Sequence, residues 1–95
     1  DVVITNPTHF AVAIQYDSKV ASAPIVVAKG QDFLAQKIKE AAKEHNVEIV
    51  ENKPLARALY YNVDIGGMVP PELYQAVAEV LAFVYKVKNK VYNPE

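Results

Sequence analysis

Two hydrophobic rhythms run along this chain of 95 residues, and they divide it into strands and helices. Val2-Val3-Ile4 and Phe10-Ala11-Val12-Ala13-Ile14 are apolar runs without clean alternation. That pattern predicts strands over 2–5 and 10–16, buried in the middle of a sheet. The polar break Asn6-Pro7-Thr8-His9 separates them, and an Asn-Pro pair there predicts a turn, because proline fixes its own φ and pushes the preceding residue away from helical geometry. A polar connection from Asp17 to Pro24 leads to a third strand, Ile25-Val26-Val27-Ala28, closed by Gly30. From Asp32 to His45 the rhythm becomes helical, with Leu34, Ala35, Ile38, Ala41, Ala42 and His45 on one face. Asp32 suits the helix start, and Asn46 suits a left-handed exit. Val47-Glu48-Ile49-Val50-Glu51 alternates as a fourth strand. The strand–helix–strand from Ile25 to Val50 predicts a right-handed crossover joining parallel strands. Asn52-Lys53-Pro54 opens a short helix through Tyr60, with proline in its tolerated first-turn position. Gly66-Gly67 interrupts the pattern, and Pro70-Pro71 opens the last helix. There Leu73, Ala76, Val77, Val80, Leu81 and Val84 form one apolar core stripe. Lys86, Lys88 and Lys90 follow near its end, where cations offset the helix dipole, and Val91 to Glu95 is predicted to fray.

Composition narrows the function classes. Apolar residues make up 52% and charged residues 22%, the balance of one globular domain with a modest core. A net charge of −1 argues against a general nucleic-acid binder. The absence of cysteine excludes a disulfide framework and a thiol nucleophile. Leu73 to Val87 is too short and too polar to span a bilayer. No signal peptide is visible, and the abrupt start on a strand predicts a piece of a longer protein. No internal repeat or domain boundary divides residues 1–95.

The Asn6-Pro7 dipeptide carries the sharpest chemistry. Asparagine usually ages when the next backbone nitrogen attacks its side-chain carbonyl, but proline has no N–H to do so. The remaining intramolecular route runs the other way. The Asn6 side-chain nitrogen attacks its own main-chain carbonyl, forms a succinimide and expels the Pro7 nitrogen. An amide nitrogen is a poor nucleophile, so this route needs the near-attack geometry of a turn held between fixed strands. It also needs help with protons and with the developing oxyanion. Thr8 and His9 are the neighbouring polar groups. Asn93-Pro94 repeats the dipeptide in the predicted tail and serves as an internal control.

The other candidates have plainer readings. His9 and His45 lie far apart and match no metal-ligand spacing, so no metal or cofactor is expected. Gly66-Gly67 lacks the rest of a phosphate-binding loop. No Ser-His-Asp arrangement can be drawn. Arg57, the one arginine, stands in a mostly apolar helix. It reads first as a snorkelling residue with a carboxylate partner and second as a binding residue. Ala23-Pro24 reads first as an ordinary loop and second as a small exposed apolar patch.

Asn6-Pro7-Thr8-His9 resembles the self-cleavage motif of the export switch proteins of type III secretion, the FlhB/YscU family. Further stretches stand in the family's order: Ala23-Pro24-Ile25-Val26-Val27-Ala28-Lys29-Gly30, Pro54-Leu55-Ala56-Arg57-Ala58-Leu59-Tyr60 and Val77-Ala78-Glu79-Val80-Leu81-Ala82. The resemblance covers essentially the whole chain, and the Ala-Pro to Lys-Gly stretch is more like the flagellar branch than the injectisome branch. It implies an α/β fold: a small four-stranded mixed β-sheet surrounded by three to four α-helices, with the self-cleavage loop between the first two strands. It implies a cytoplasmic domain at the inner face of the bacterial inner membrane, attached through a preceding membrane part. Its partners would be export substrates, a hook-length control protein, the second export-gate protein and the export ATPase complex. The domain would be monomeric, with its two autocleavage fragments staying associated. By the same resemblance Asn6 cyclises, Pro7 carries the leaving nitrogen, and Thr8 and His9 assist. Ala23, Pro24, Ala78 and Leu81 match positions linked to docking of early export substrates. The cut would be a single-turnover intramolecular event, not enzymatic turnover, and would permit a switch from rod and hook substrates to filament substrates. The alternatives are a docking module of a secretion apparatus whose Asn-Pro bond stays whole and, more distantly, a hydrolase.

Overall fold

A computed structural model describes residues 1–92, with side chains through Asn89. Strands β1 (Val2–Asn6), β2 (Phe10–Gln15) and β3 (Ile25–Gln31) come first, followed by helix α1 (Asp32–Glu44), strand β4 (Glu48–Glu51) and helices α2 (Lys53–Asn62) and α3 (Tyr74–Tyr92), the last preceded by a 3-10 turn at Pro71–Leu73. The sheet is mixed, in the order β3-β2-β1-β4. β1 pairs antiparallel with β2 and parallel with β4, while β2 pairs antiparallel with β3. The two most apolar strands therefore lie at the centre, as their unalternated runs predict.

Burial on both faces explains that lack of alternation. One face carries Val2, Ile4, Phe10, Val12, Ile14 and Val26 against Leu55, Leu59 and Val63 of α2 and its exit, and against Val77, Val80 and Val84 of α3. The other face carries Val3 and Ala11 against Ala35 and Ala42 of α1, with Ala13, Ile38 and Ile49 packed around them. This second face is lined by small side chains, so α1 comes close to the sheet. Gly30 takes part in that approach. It is buried in β3 opposite Ala11, and a Cβ there would lie 2.5 Å from Leu34 Cγ. The expectation that Gly30 ends the strand is corrected: β3 runs on to Gln31, and the glycine is there for helix–sheet packing.

The crossover also differs in detail. β3 and β4 run in the same direction but occupy opposite edges, because β4 adds to β1 rather than to β3. α1 ends at Glu44, with His45 as its cap and Asn46 at φ +57° in the predicted left-handed exit. Leu34, Ala41 and His45 are exposed, so the buried stripe of α1 is narrower than its apolar sequence positions suggest. α2 is capped by the Asn52 side chain, which accepts from the Leu55 N–H at 3.2 Å. The stretch around Gly66-Gly67 does more than turn. Val26 N–H donates to the Gly67 carbonyl at 3.0 Å, Gly66 N–H to Val26 at 2.7 Å and Val69 N–H to Pro24 at 2.8 Å, so this segment covers the open edge of β3. α3 continues through Tyr92, so Val91 and Tyr92, expected to belong to a frayed tail, are helical. The Asn93-Pro94 control lies outside the described residues.

Candidate functional site

Asn6 is the last residue of β1, and Phe10, its cross-strand partner, is the first of β2. Pro7, Thr8 and His9 form the connection, with Asn6 and Pro7 half-buried and Thr8 and His9 exposed. The turn is closed by the His9 N–H, which donates to the Asn6 carbonyl oxygen at 2.9 Å. This is the carbonyl that a succinimide route must attack. As the closing bond of the turn, this hydrogen bond also sets an N–H donor at the oxygen that would take up negative charge, the part that an oxyanion-hole donor plays.

The loop is tied down at further points. The His9 carbonyl accepts from the Asp32 N–H at 2.9 Å, where Asp32 turns the chain into α1 at φ +53°. Asp32 therefore serves the entry to α1 through its left-handed backbone as well as its charge, a conformation that aspartate tolerates better than most residues. The Pro7 carbonyl accepts from Lys39 Nζ at 3.0 Å. Just before the loop, the Thr5 carbonyl accepts from the Asn52 N–H at 2.9 Å, joining β1 to the start of α2. Strand pairing on both sides of β1 and these contacts hold the Asn6-Pro7 bond in one position.

Side-chain alternation places Asn6 on the same sheet face as Val2 and Ile4. Its partner Phe10 stacks on Tyr60 with ring centroids 4.6 Å apart and meets Tyr61 edge-on at 5.5 Å. Lys29 Nζ donates to the Tyr60 carbonyl at 2.7 Å and lies 5.2 Å from the Tyr60 ring centroid. The sequence offered no direct signal for this aromatic and cationic flank, which forms only when β2, β3 and α2 come together. Arg57 is exposed on α2 and stacks over the Tyr61 ring at 5.3 Å. The expected carboxylate partner is replaced by an aromatic one; among the described residues the ion pair within 4.0 Å is Lys37–Glu40.

The positions proposed for docking meet elsewhere on the molecule. Ala23, Pro24, Ala78 and Leu81 line one shallow apolar pocket of about 280 Å³ together with Tyr16 and Tyr74. Ala78 is exposed and Leu81 half-buried, so both are available to the pocket although they border the α3 core stripe. Tyr16 and Leu81 also line an adjoining pocket of about 330 Å³ with Val84, Tyr85 and Lys88. Arg57 lines neither pocket. Among the described residues, no group of three or more His, Cys, Asp or Glu is placed to hold a metal ion, and no helix is long and apolar enough to cross a membrane.

Residues 1–84 match the model of the FlhB HrpN YscU SpaS family. The flagellar biosynthetic protein FlhB of Bacillus subtilis is 59% identical over 92 residues, which are 97% of this chain and 26% of that protein. The chain thus spans about a quarter of the length of the curated relatives it matches. Among solved structures, the cytoplasmic domain of FlhB from Shewanella putrefaciens superimposes with a TM-score of 0.94 at 44% identity, covering 97% of this chain and 70% of that one. An asparagine-to-alanine mutant of the EscU C-terminal domain gives a TM-score of 0.84 at 29% identity, covering 86% and 82%. Further mutants of that domain replace the next residue, a proline, or a histidine two positions beyond it. That is the spacing of Asn6, Pro7 and His9 in this chain.

Proposed function

The chain belongs to the FlhB HrpN YscU SpaS family, and from that footing we propose that it is a self-cleaving export-switch domain, cut between Asn6 and Pro7. The observation that carries this reading is the 2.9 Å hydrogen bond from the His9 N–H to the Asn6 carbonyl, directly before a prolyl nitrogen. Asn6 Nδ2 attacks the Asn6 carbonyl carbon, and the oxygen takes up negative charge against the His9 N–H. A proton leaves Nδ2 and one reaches the Pro7 nitrogen, with the exposed Thr8 and His9 side chains relaying protons through solvent. The carbon–nitrogen bond then breaks. The products are a fragment ending in a succinimide, which water later opens, and a fragment beginning with the secondary amine of Pro7. No group is regenerated for a second round, so the reaction is a single turnover.

Intact mass under denaturing conditions tests this reading. Residues 1–6 and 7–95 should appear as two species whose masses sum to that of the chain, plus one water once the succinimide has opened. Asn6→Ala should give one species of full mass with an unchanged fold. A wild-type chain that stays whole, or an Asn6→Ala chain that is cut, overturns the mechanism.

A second reading stands beside the first because Ala23, Pro24, Ala78 and Leu81 converge on one apolar pocket. We infer that this pocket takes an apolar segment of export substrates, whether or not the loop is cut. In the longer protein the domain would work at the cytoplasmic face of the inner membrane, beside the second export-gate protein and the export ATPase complex. There a hook-length control protein would deliver the signal to change from rod and hook to filament substrates.

A further inference from the structure

We propose that Lys39 is a positioning residue for the cut at Asn6-Pro7, acting as a cationic clamp from α1 on the Pro7 carbonyl; this rests on the self-cleavage reading above. Lys39 Nζ lies 3.0 Å from the Pro7 oxygen, a contact across 32 positions of sequence. A lysine on a helix surface ordinarily keeps its ammonium in water or shares it with a carboxylate. Lys39 is half-buried, and the nearby ion pair on the same helix is formed by Lys37 and Glu40 instead. Its ammonium is committed to a loop carbonyl, at the entropic cost of holding a long side chain in place.

The position on the helix explains what the clamp does. Asp32 and Lys39 are seven residues apart, two turns along one face of α1. The Asp32 N–H fixes the His9 carbonyl, and Lys39 fixes the Pro7 carbonyl. Proline's φ is already set by its ring, so holding its carbonyl sets the remaining soft dihedral of Pro7. With both ends fixed, the His9 N–H stays on the Asn6 oxygen where the charge must develop. Lys39 touches neither the attacking nitrogen nor the reacting carbon. It raises the fraction of time that the turn spends in the reactive arrangement.

The test follows the appearance of the fragments after the 95-residue chain is diluted from denaturant, in wild type, Lys39→Met and Lys39→Arg. Met keeps most of the stem and removes the donor, and cleavage should slow about tenfold, the effect of losing one charge-assisted hydrogen bond of about 1.4 kcal/mol. Arg keeps a cationic donor and should restore most of the rate. Packing alone would not separate these two variants. A Met variant cut at the wild-type rate, or an Arg variant as slow as Met, overturns the clamp. Hydrogen exchange of the His9 amide in an Asn6→Ala background gives a readout that does not depend on cleavage. There Lys39→Met should speed exchange about tenfold, and unchanged exchange overturns the proposal even if the wild-type chain is cut. A wild-type chain that stays whole overturns the self-cleavage reading and this role together, whereas a wild-type chain that is cut with unresponsive Lys39 variants overturns the clamp alone.

Discussion

The backbone and the side chain of His9 have separate roles in the proposed reaction, and separating them is the strongest test of the site. Replacing the His9 amide with an ester, by chemical synthesis with the α-hydroxy acid at that position, deletes the N–H and keeps the imidazole. The deleted donor lies 2.9 Å from the Asn6 oxygen in the uncut chain, and a donor that keeps this contact as the oxygen takes up charge contributes about 10²–10³ in rate, or about 2.7–4 kcal/mol of barrier. His9→Ala does the opposite. It keeps the N–H and removes an exposed side chain. Water and Thr8 remain to carry protons, so cleavage should slow by less than about tenfold without stopping, well short of the 10²–10⁴ of a positioned acid or base. Both variants are folded from denaturant, and the intact chain is followed by mass against time. Circular dichroism confirms that each has folded, since β1 retains its ladders to β2 and β4. An ester cut at the wild-type pace refutes the oxyanion argument. A His9→Ala chain that is never cut transfers the chemistry to the imidazole.

Two further outcomes follow from packing and from the pocket. Gly30→Ala would put a Cβ 2.5 Å from Leu34 Cγ and 2.8 Å from Leu34 Cβ, and the second atom cannot swing away without moving α1. Overpacking of about 1–3 kcal/mol, less roughly 0.5–1 kcal/mol gained from lower chain entropy, leaves a net loss centred near about 1 kcal/mol and at most about 2.5, and a melting midpoint lower by several degrees; an unchanged midpoint would mean that α1 has room to spare. Ala78→Asp sets a carboxylate at the mouth of the apolar pocket, and because position 78 is exposed the fold should change by less than about 0.5 kcal/mol. Binding of a labelled apolar peptide from an export substrate should weaken about tenfold or more in a fluorescence titration, and unchanged affinity would place docking elsewhere.

The sheet was legible because both central strands are apolar on successive residues, a pattern that only two-sided burial sustains. Gly30 has two meanings in sequence. A glycine after a β-branched run signals a strand end as readily as a close approach, and only the position of Leu34 decides between them. The order of β3 and β4 was hidden because a crossover prescribes direction and not adjacency. Charge alone predicts an acidic partner for Arg57, while its neighbour one turn along is Tyr61. The candidate dipeptide is visible in sequence because proline removes a donor at a fixed position. Lys39 is not, since nothing in a run of helix-surface lysines distinguishes the one that reaches a loop 32 positions away. Ala78 and Leu81 stood in one stretch and Ala23 and Pro24 in another, and only the fold brings the four together.

The place of the loop in the sheet bears on what a cut would accomplish. β1 is a central strand, paired over Val2–Asn6 with β2 and over Val2–Thr5 with β4. Val2 and Ile4 are fully buried on one face and Val3 is nearly so on the other. At about 1.5–3 kcal/mol for each of these side chains, burial alone opposes release of the strand, and two ladders must open before it can leave. A break between Asn6 and Pro7 therefore leaves β1 held while freeing the covalent restraint on Pro7-Thr8-His9. The effect would concentrate where the His9 carbonyl meets α1, the Pro7 carbonyl meets Lys39, and Phe10 leads to Tyr60 and Tyr61. In a hairpin at the sheet edge the same cut would risk loss of the strand. Between two central strands it would change a surface and spare the core, as the proposed switch requires if its domain is to stay folded.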